Sequence, residues 1–163
     1  MRHNFDGQGT LLTLLLRNYL HYNLFDQAEK LASKTDFREE GASSNELARY
    51  YYYQGRIKAV QLNYTEAYEY LQQALRKAPT SAARGFRATA IKLLCIVQLL
   101  TGEIPERSTF RQAGLKTVLK PYFELTQAVR RGDLGAFQKV VENSANVFRQ
   151  DKNFNLVQRY LLL

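Results

Sequence analysis

The side chains able to do chemistry are few and far apart. His3 and His21 are the only histidines and Cys95 the only cysteine in 163 residues. A structural zinc site takes four His, Cys or carboxylate ligands at short spacings, and none of these three residues has such a neighbour. Cys95 lies within Leu93-Leu94-Cys95-Ile96-Val97, where apolar burial disfavours the thiolate that a nucleophile needs. Carboxylates recur at Glu39-Glu40 and at Glu103 and Glu106, but no apolar pocket is in view that would shift a pKa for acid–base work. Gly7-Gln8-Gly9 is too short for a phosphate loop and has no strand before it. The expectation is a chain with no catalytic residues, no metal and no cofactor.

The run Tyr50 to Tyr53 offers a different chemistry, ring stacking. Four consecutive residues of a helix point in four directions, so they form no single platform. Some must pack inside their own hairpin and others against an adjacent helix or a partner; core packing is the default reading, and one or two exposed rings at an interface the alternative. Asn63-Tyr64-Thr65 has the form of a glycosylation sequon, but it falls in a tight turn between two helices and is read as chance.

Composition narrows the class further. Apolar residues make up 45% and charged residues 23%, an ordinary globular balance. The net charge of +8 fits nucleic acid, an anionic membrane or an acidic protein partner. The basic residues never form a run of five, however. Their densest places, Arg76-Lys77, Arg84 with Arg87, and Arg130-Arg131, look like helix ends, where cations complement the helix dipole. A single cysteine allows no intrachain disulfide and suits a reducing compartment. Leu11 to Leu16 is preceded by Asp6 and ended by Arg17, with no cleavage site after it, unlike a signal peptide. Ile91 to Leu100 falls far short of the ~20 residues of a membrane span. A soluble, intracellular protein is expected.

The elements follow from helical periodicity; no useful stretch alternates with period two. Residues 1–9 form a loose segment. Thr10 caps a helix from Leu11 to about Tyr22, and Asp26-Gln27-Ala28-Glu29 opens a second, as a capping box would, to about Lys34. Ser43-Ser44-Asn45-Glu46 opens a third through about Leu62. Thr65 caps a fourth that stops near Pro79. A fifth runs from about Ala82 to Leu100 and ends on Gly102 in the left-handed position. After a connection at Ile104-Pro105, a helix covers Leu115 to Arg130 with a kink or break at Pro121. Gly132-Asp133 turns into a helix from Leu134 to about Arg149, and one more begins near Asn153.

Between residues 48 and 81 these helices carry the tetratricopeptide spacing: Tyr51, Gly55, Tyr64, Ala67, Leu71, Ala74 and Pro79. Small residues at 55, 67 and 74 let two antiparallel helices approach, and Tyr64 and Leu71 wedge between them. An upstream copy lies 39 residues earlier, with Phe25 against Tyr64 and Ala28 against Ala67. Gly132-Asp133-Leu134 with Phe137 resembles the same turn a third time. Each hairpin leaves an apolar face that a neighbour must cover. The expected fold is all-α: tetratricopeptide-like antiparallel hairpins stacked as a right-handed solenoid, one domain over residues 10–163.

Several segments are more specific than any generic repeat. His21 to Leu31, Gly55-Arg56-Ile57-Lys58-Ala59, Ala74 to Pro79, Gly102 to Arg107 with Phe110-Arg111-Gln112, and above all Pro121-Tyr122-Phe123 with Leu125 to Arg130, resemble the regulatory subunit 3 family of the 26S proteasome, a family of PCI-type lid scaffolds. The resemblance covers roughly residues 10 to 158. It implies helical repeats leading into a winged-helix module, other lid subunits as protein partners, a place in cytoplasm and nucleus, and no catalysis. On this resemblance the chain is expected to be a fragment, a truncated gene product or a partial gene model, since the winged helix and C-terminal tail that it implies do not follow Leu163. Basic helical-repeat adaptors that bind RNA, and sister PCI scaffolds of the signalosome or of translation initiation factor 3, are the alternatives; the Pro121 to Arg130 segment favours the proteasome.

Overall fold

The computed structural model describes residues 2–34, 43–78 and 83–163, with the backbone alone described over 2–9. Among the described residues nine α-helices follow one another: α1 Arg2–His21, α2 Phe25–Lys34, α3 Ser44–Val60, α4 Tyr64–Lys77, α5 Arg84–Leu100, α6 Lys120–Arg130, α7 Leu134–Asn143, α8 Ala145–Gln150 and α9 Phe154–Tyr160, with a 3₁₀ helix at Arg107–Arg111 between α5 and α6. No strand occurs among the described residues. None of their helices is long and apolar enough to cross a membrane.

The chain divides into two compact units, Met1–Ala82 and Ala83–Leu163. In the first unit α1, α2, α3 and α4 pack together. One buried cluster joins Leu12, Leu16 and Leu20 of α1 to Ala28 and Ala32 of α2 and Ile57 of α3. In the second unit α5 is the central helix. Ten of its 17 residues are buried, including Ile91, Leu93, Ile96 and Val97, and it carries no Asp or Glu. A helix apolar on most of its circumference must be surrounded. Here α6 and α9 both pack on it.

Five helix ends use one main-chain device. Asn23, Leu62, Gly102, Gly132 and Lys152 all have positive φ, between 59° and 89°. After each, the next N–H bonds five residues back: Leu24 to Tyr19, Asn63 to Lys58, Glu103 to Gln98, Asp133 to Ala128 and Asn153 to Phe148. This is the Schellman ending, in which a left-handed residue turns the chain while satisfying the last carbonyls. The residue after the turn starts the next helix in four of the five cases. Asn63 accepts from the Glu66 N–H at 3.4 Å, and Asp133 from the Ala136 N–H at 2.9 Å. Four residues beyond each start the side chain is buried: Ala28, Ala67, Phe137 and Val157.

Several boundaries differ from the sequence expectation. The first helix begins at Arg2, so residues 2–9 are helical rather than loose, and Thr10 lies inside the helix. No proline interrupts that stretch, and a helix nucleated by the leucine-rich segment propagates backwards at little cost per residue. Asp26 sits in the first turn of α2, one position inside its start, and Asn63 takes the capping role expected of Thr65. Of the kink or break expected at Pro121 the structure shows the break: residues 115–119 are turns and the proline marks a helix start. The helix begins at Lys120, because proline in a first turn has no intrahelical N–H to lose. The helix expected over 134–149 is interrupted at Ser144, where φ −113° and ψ 20° break the ladder. Ser43 caps α3 as expected, accepting from the Glu46 N–H. Pro79 lies outside the described residues; Ala78 before it is extended at ψ 131°, as steric contact with a following proline ring dictates.

Candidate functional site: the hairpin frame and its surfaces

The α3–α4 hairpin is built around one close approach. A Cβ placed on Gly55 would lie 2.8 Å from Leu71 Cγ and 3.4 Å from the Ala67 carbonyl oxygen. Only hydrogen fits there. Ala67, Leu71 and Ala74 are fully buried along the facing side of α4. Tyr51 is buried and stacks on Tyr70 with ring centroids 6.3 Å apart, while Tyr64 is half-buried at the turn. Lys58 Nζ reaches Glu66 across the turn at 3.5 Å; both groups are partly exposed, so this bridge adds little.

The upstream hairpin repeats the arrangement with its volumes exchanged. Thirty-nine residues before Gly55 stands Leu16, and thirty-nine before Leu71 stands Ala32, both in the buried cluster. At equivalent positions one hairpin has glycine and leucine, the other leucine and alanine. Ala28 is fully buried, as Ala67 is, and Phe25 packs half-buried against the cluster.

The four tyrosines divide as their directions require. Tyr51 faces α4, and Tyr50 and Tyr53 pack on the cluster of the first hairpin. Tyr52 accepts a hydrogen bond from Arg56 Nη2 at 2.9 Å, and Tyr50 from Gln54 Nε2 at 3.0 Å, which serves two polar side chains buried on α3. Burial pushes the Tyr53 hydroxyl pKa up, against the opposing pull of Arg17 and Arg49. Thr13 Oγ1 donates to Glu46 at 2.8 Å and joins α1 to α3.

The second unit holds the densest polar cluster. Tyr122 on α6 is fully buried; its hydroxyl donates to Asp151 Oδ2 at 2.7 Å and accepts from Asn153 Nδ2 at 3.0 Å. Lys92 of α5 meets the same Asp151 oxygen at 3.0 Å and stands 5.7 Å from the Tyr122 ring. Sequence reading picked out Pro121-Tyr122 only for its resemblance and missed the cluster, because Lys92, Tyr122 and Asp151 lie about thirty residues apart. A buried tyrosine with a polar tip needing a partner was the signal available.

Cys95 is fully buried, and burial pushes its thiol up to about 12 against a weak contact with Thr126 Oγ1 at 3.5 Å. His21 is exposed at the end of α1, edge-on to Tyr22. Among the described residues no group of three or more His, Cys, Asp or Glu side chains could hold a metal ion. The depression lined by Ile104, Pro105, Glu106, Arg107, Ser108 and Arg130 is open to solvent, and Arg130 donates to the Pro105 carbonyl at 2.8 Å. Charge is unevenly placed: residues 83–163 hold 13 of the 23 basic residues but six of the 15 acidic ones.

Antiparallel helical hairpins closed by a shared turn, with glycine and alanine at the helix contact, define a tetratricopeptide-like repeat protein. The chain belongs to the family described as PSMD3-like, N-terminal TPR repeats, whose profile matches residues 1–126. Over 159 residues it is 60% identical to the 26S proteasome non-ATPase regulatory subunit 3 of Dictyostelium discoideum, covering 98% of this chain and 31% of that protein. Over the same length it is 57% identical to the probable subunit 3 of Anopheles stephensi, and 55% to subunit 3 homolog B of Arabidopsis thaliana, each with 98% of this chain and 32% of the relative covered. The chain therefore spans about a third of the length of these relatives.

Proposed function

We propose that the chain is a non-catalytic scaffold segment of the 26S proteasome regulatory particle lid, acting in ubiquitin-dependent protein degradation in cytoplasm and nucleus. The observation that carries this reading is identity of 60% to a regulatory subunit 3 across 98% of the chain, which takes in the connections as well as the repeats. The mechanism is positional. Stiff helical hairpins stacked in a right-handed solenoid, residues 10–163 forming the repeat part of a PCI-type module, hold neighbouring subunits at fixed spacing. Affinity comes from a few aromatic and arginine anchors. Purification of the tagged chain from its own cells should bring down other lid subunits, identified by mass spectrometry. Recovery of none overturns the proposal.

One observation favours a second reading, a basic adaptor for RNA: the concentration of cations in residues 83–163. That reading requires binding to single-stranded RNA whose affinity falls steeply with salt, as release of counterions dictates. Absent or salt-insensitive binding removes it.

A further inference from the structure

The α8–α9 hairpin is made of pieces too short to stand alone. Its helices have six and seven residues, well below the roughly 12–15 at which an isolated helix becomes even marginal. Their fold is conditional on docking. Phe148, Leu156 and Val157 supply buried apolar surface, and Tyr160 meets Phe137 of α7. Apolar contact is not directional and tolerates slippage.

The turn between the two helices supplies the direction. Asp151 and Asn153 flank its left-handed residue, Lys152 at φ 61°. Both reach the Tyr122 hydroxyl, and Asp151 also takes the Lys92 ammonium. Tyr122 closes edge-on over Phe148, 5.1 Å between centroids. The hydroxyl of Tyr122 and the amide of Asn153 are buried, so a shift of the hairpin along α5 and α6 would break the bond between them, and a lost buried hydrogen bond is costly.

We propose that the Lys92–Tyr122–Asp151–Asn153 cluster is a latch that fixes the α8–α9 hairpin on α5 and α6 in one register, and that the hairpin releases as a unit when the latch is broken. The arrangement makes docking all-or-none. The latch sits in the turn that joins the two short helices, and its members come from three separate elements.

Hydrogen exchange read by mass spectrometry on the full chain tests this. Tyr122→Phe removes both bonds to the hydroxyl, Lys92→Met the ion pair and Asp151→Asn the charge, each keeping side-chain bulk. Each should lower protection of amides in 145–160 by roughly 10- to 100-fold, the scale of a lost charge-assisted hydrogen bond. Protection in α3, α4 and the middle of α5 should hold, and the double variant Tyr122→Phe with Asp151→Asn should lose little more than either single one. Unchanged exchange in 145–160 overturns the proposal. So does a loss spread equally through α5 and α6, or collapse of the whole unit in all three variants, since an ordinary core role would give that pattern.

Discussion

Cys95 is the residue at which burial has the plainest chemical consequence. An unfolded thiol ionises near its ordinary value of 9.0, whereas the folded one keeps its proton up to about 12. Above pH 9 the unfolded chain therefore gives up a proton that the folded chain retains. The stability tied to this group is complete below that pH and is lost as the pH climbs toward 12, by at most about 1.4 kcal/mol per pH unit. Denaturant unfolding of wild type and Cys95→Ala across that window should show a shallower alkaline decline in the variant. Parallel declines would mean that the thiol is hydrated in solution. This role was readable from Leu93-Leu94-Cys95-Ile96-Val97 alone, because a continuous apolar run on a helix leaves no wet side. Tyr122 was not readable in the same way. Its meaning depends on Lys92 and Asp151, and no local spacing announces them.

Among the elements, capping separates turns that look alike. The Asp133 carboxylate receives the Ala136 N–H at 2.9 Å, and the Asn63 amide oxygen receives the Glu66 N–H at 3.4 Å. Asp133→Ala should cost about 1 kcal/mol, as loss of a well-formed cap does, and Asn63→Ala distinctly less. Thermal melts of both variants check the order, and an equal or reversed ranking would show that distance does not set the difference. Helix existence was legible over most of the described chain, residues 2–9 and 115–119 excepted, since apolar periodicity and capping residues agree over long stretches. Starts were less so. Thr65 and Asp26 are good caps by type, but the turn geometry is set by left-handed Leu62 and Asn23, which fix the helix start one or two residues earlier. Pro121 can bend a helix or begin one, and its sequence does not distinguish the two. The break at Ser144 follows from backbone angles that no proline or glycine foretells.

At the scale of the molecule, the charge asymmetry has a thermodynamic signature. Of a net +8, seven units fall in residues 83–163, and like charges confined to one small unit repel. Raising NaCl from about 50 mM to about 500 mM shortens the Debye length from over 10 Å to a few ångströms, and should raise the melting midpoint of that unit. A midpoint that falls instead would show that attractions such as Lys92–Asp151 outweigh the repulsion. The helical-repeat class was legible from the spacing between residues 48 and 81, and the family from segments spread along the chain. The division into two units was not, because no glycine- or proline-rich linker marks residue 82 and a shift in charge balance alone sets no boundary. The candidate site was legible in part. Gly55, Ala67, Leu71 and Ala74 announce a close helix contact by their size, while at the equivalent positions Leu16 and Ala32 trade sizes and hide the repeat.

That trade makes each hairpin a keyed pair. A chain in which α4 followed α1 would force Leu71 onto Leu16, and α2 set against α3 would leave Ala32 facing Gly55 across an empty slot. Overfilling and voids both cost free energy, commonly one to a few kcal/mol each (~1–3). Two segments of similar length and turn geometry are thereby kept from exchanging partners while the chain folds, so the order of the repeats is written into their volumes.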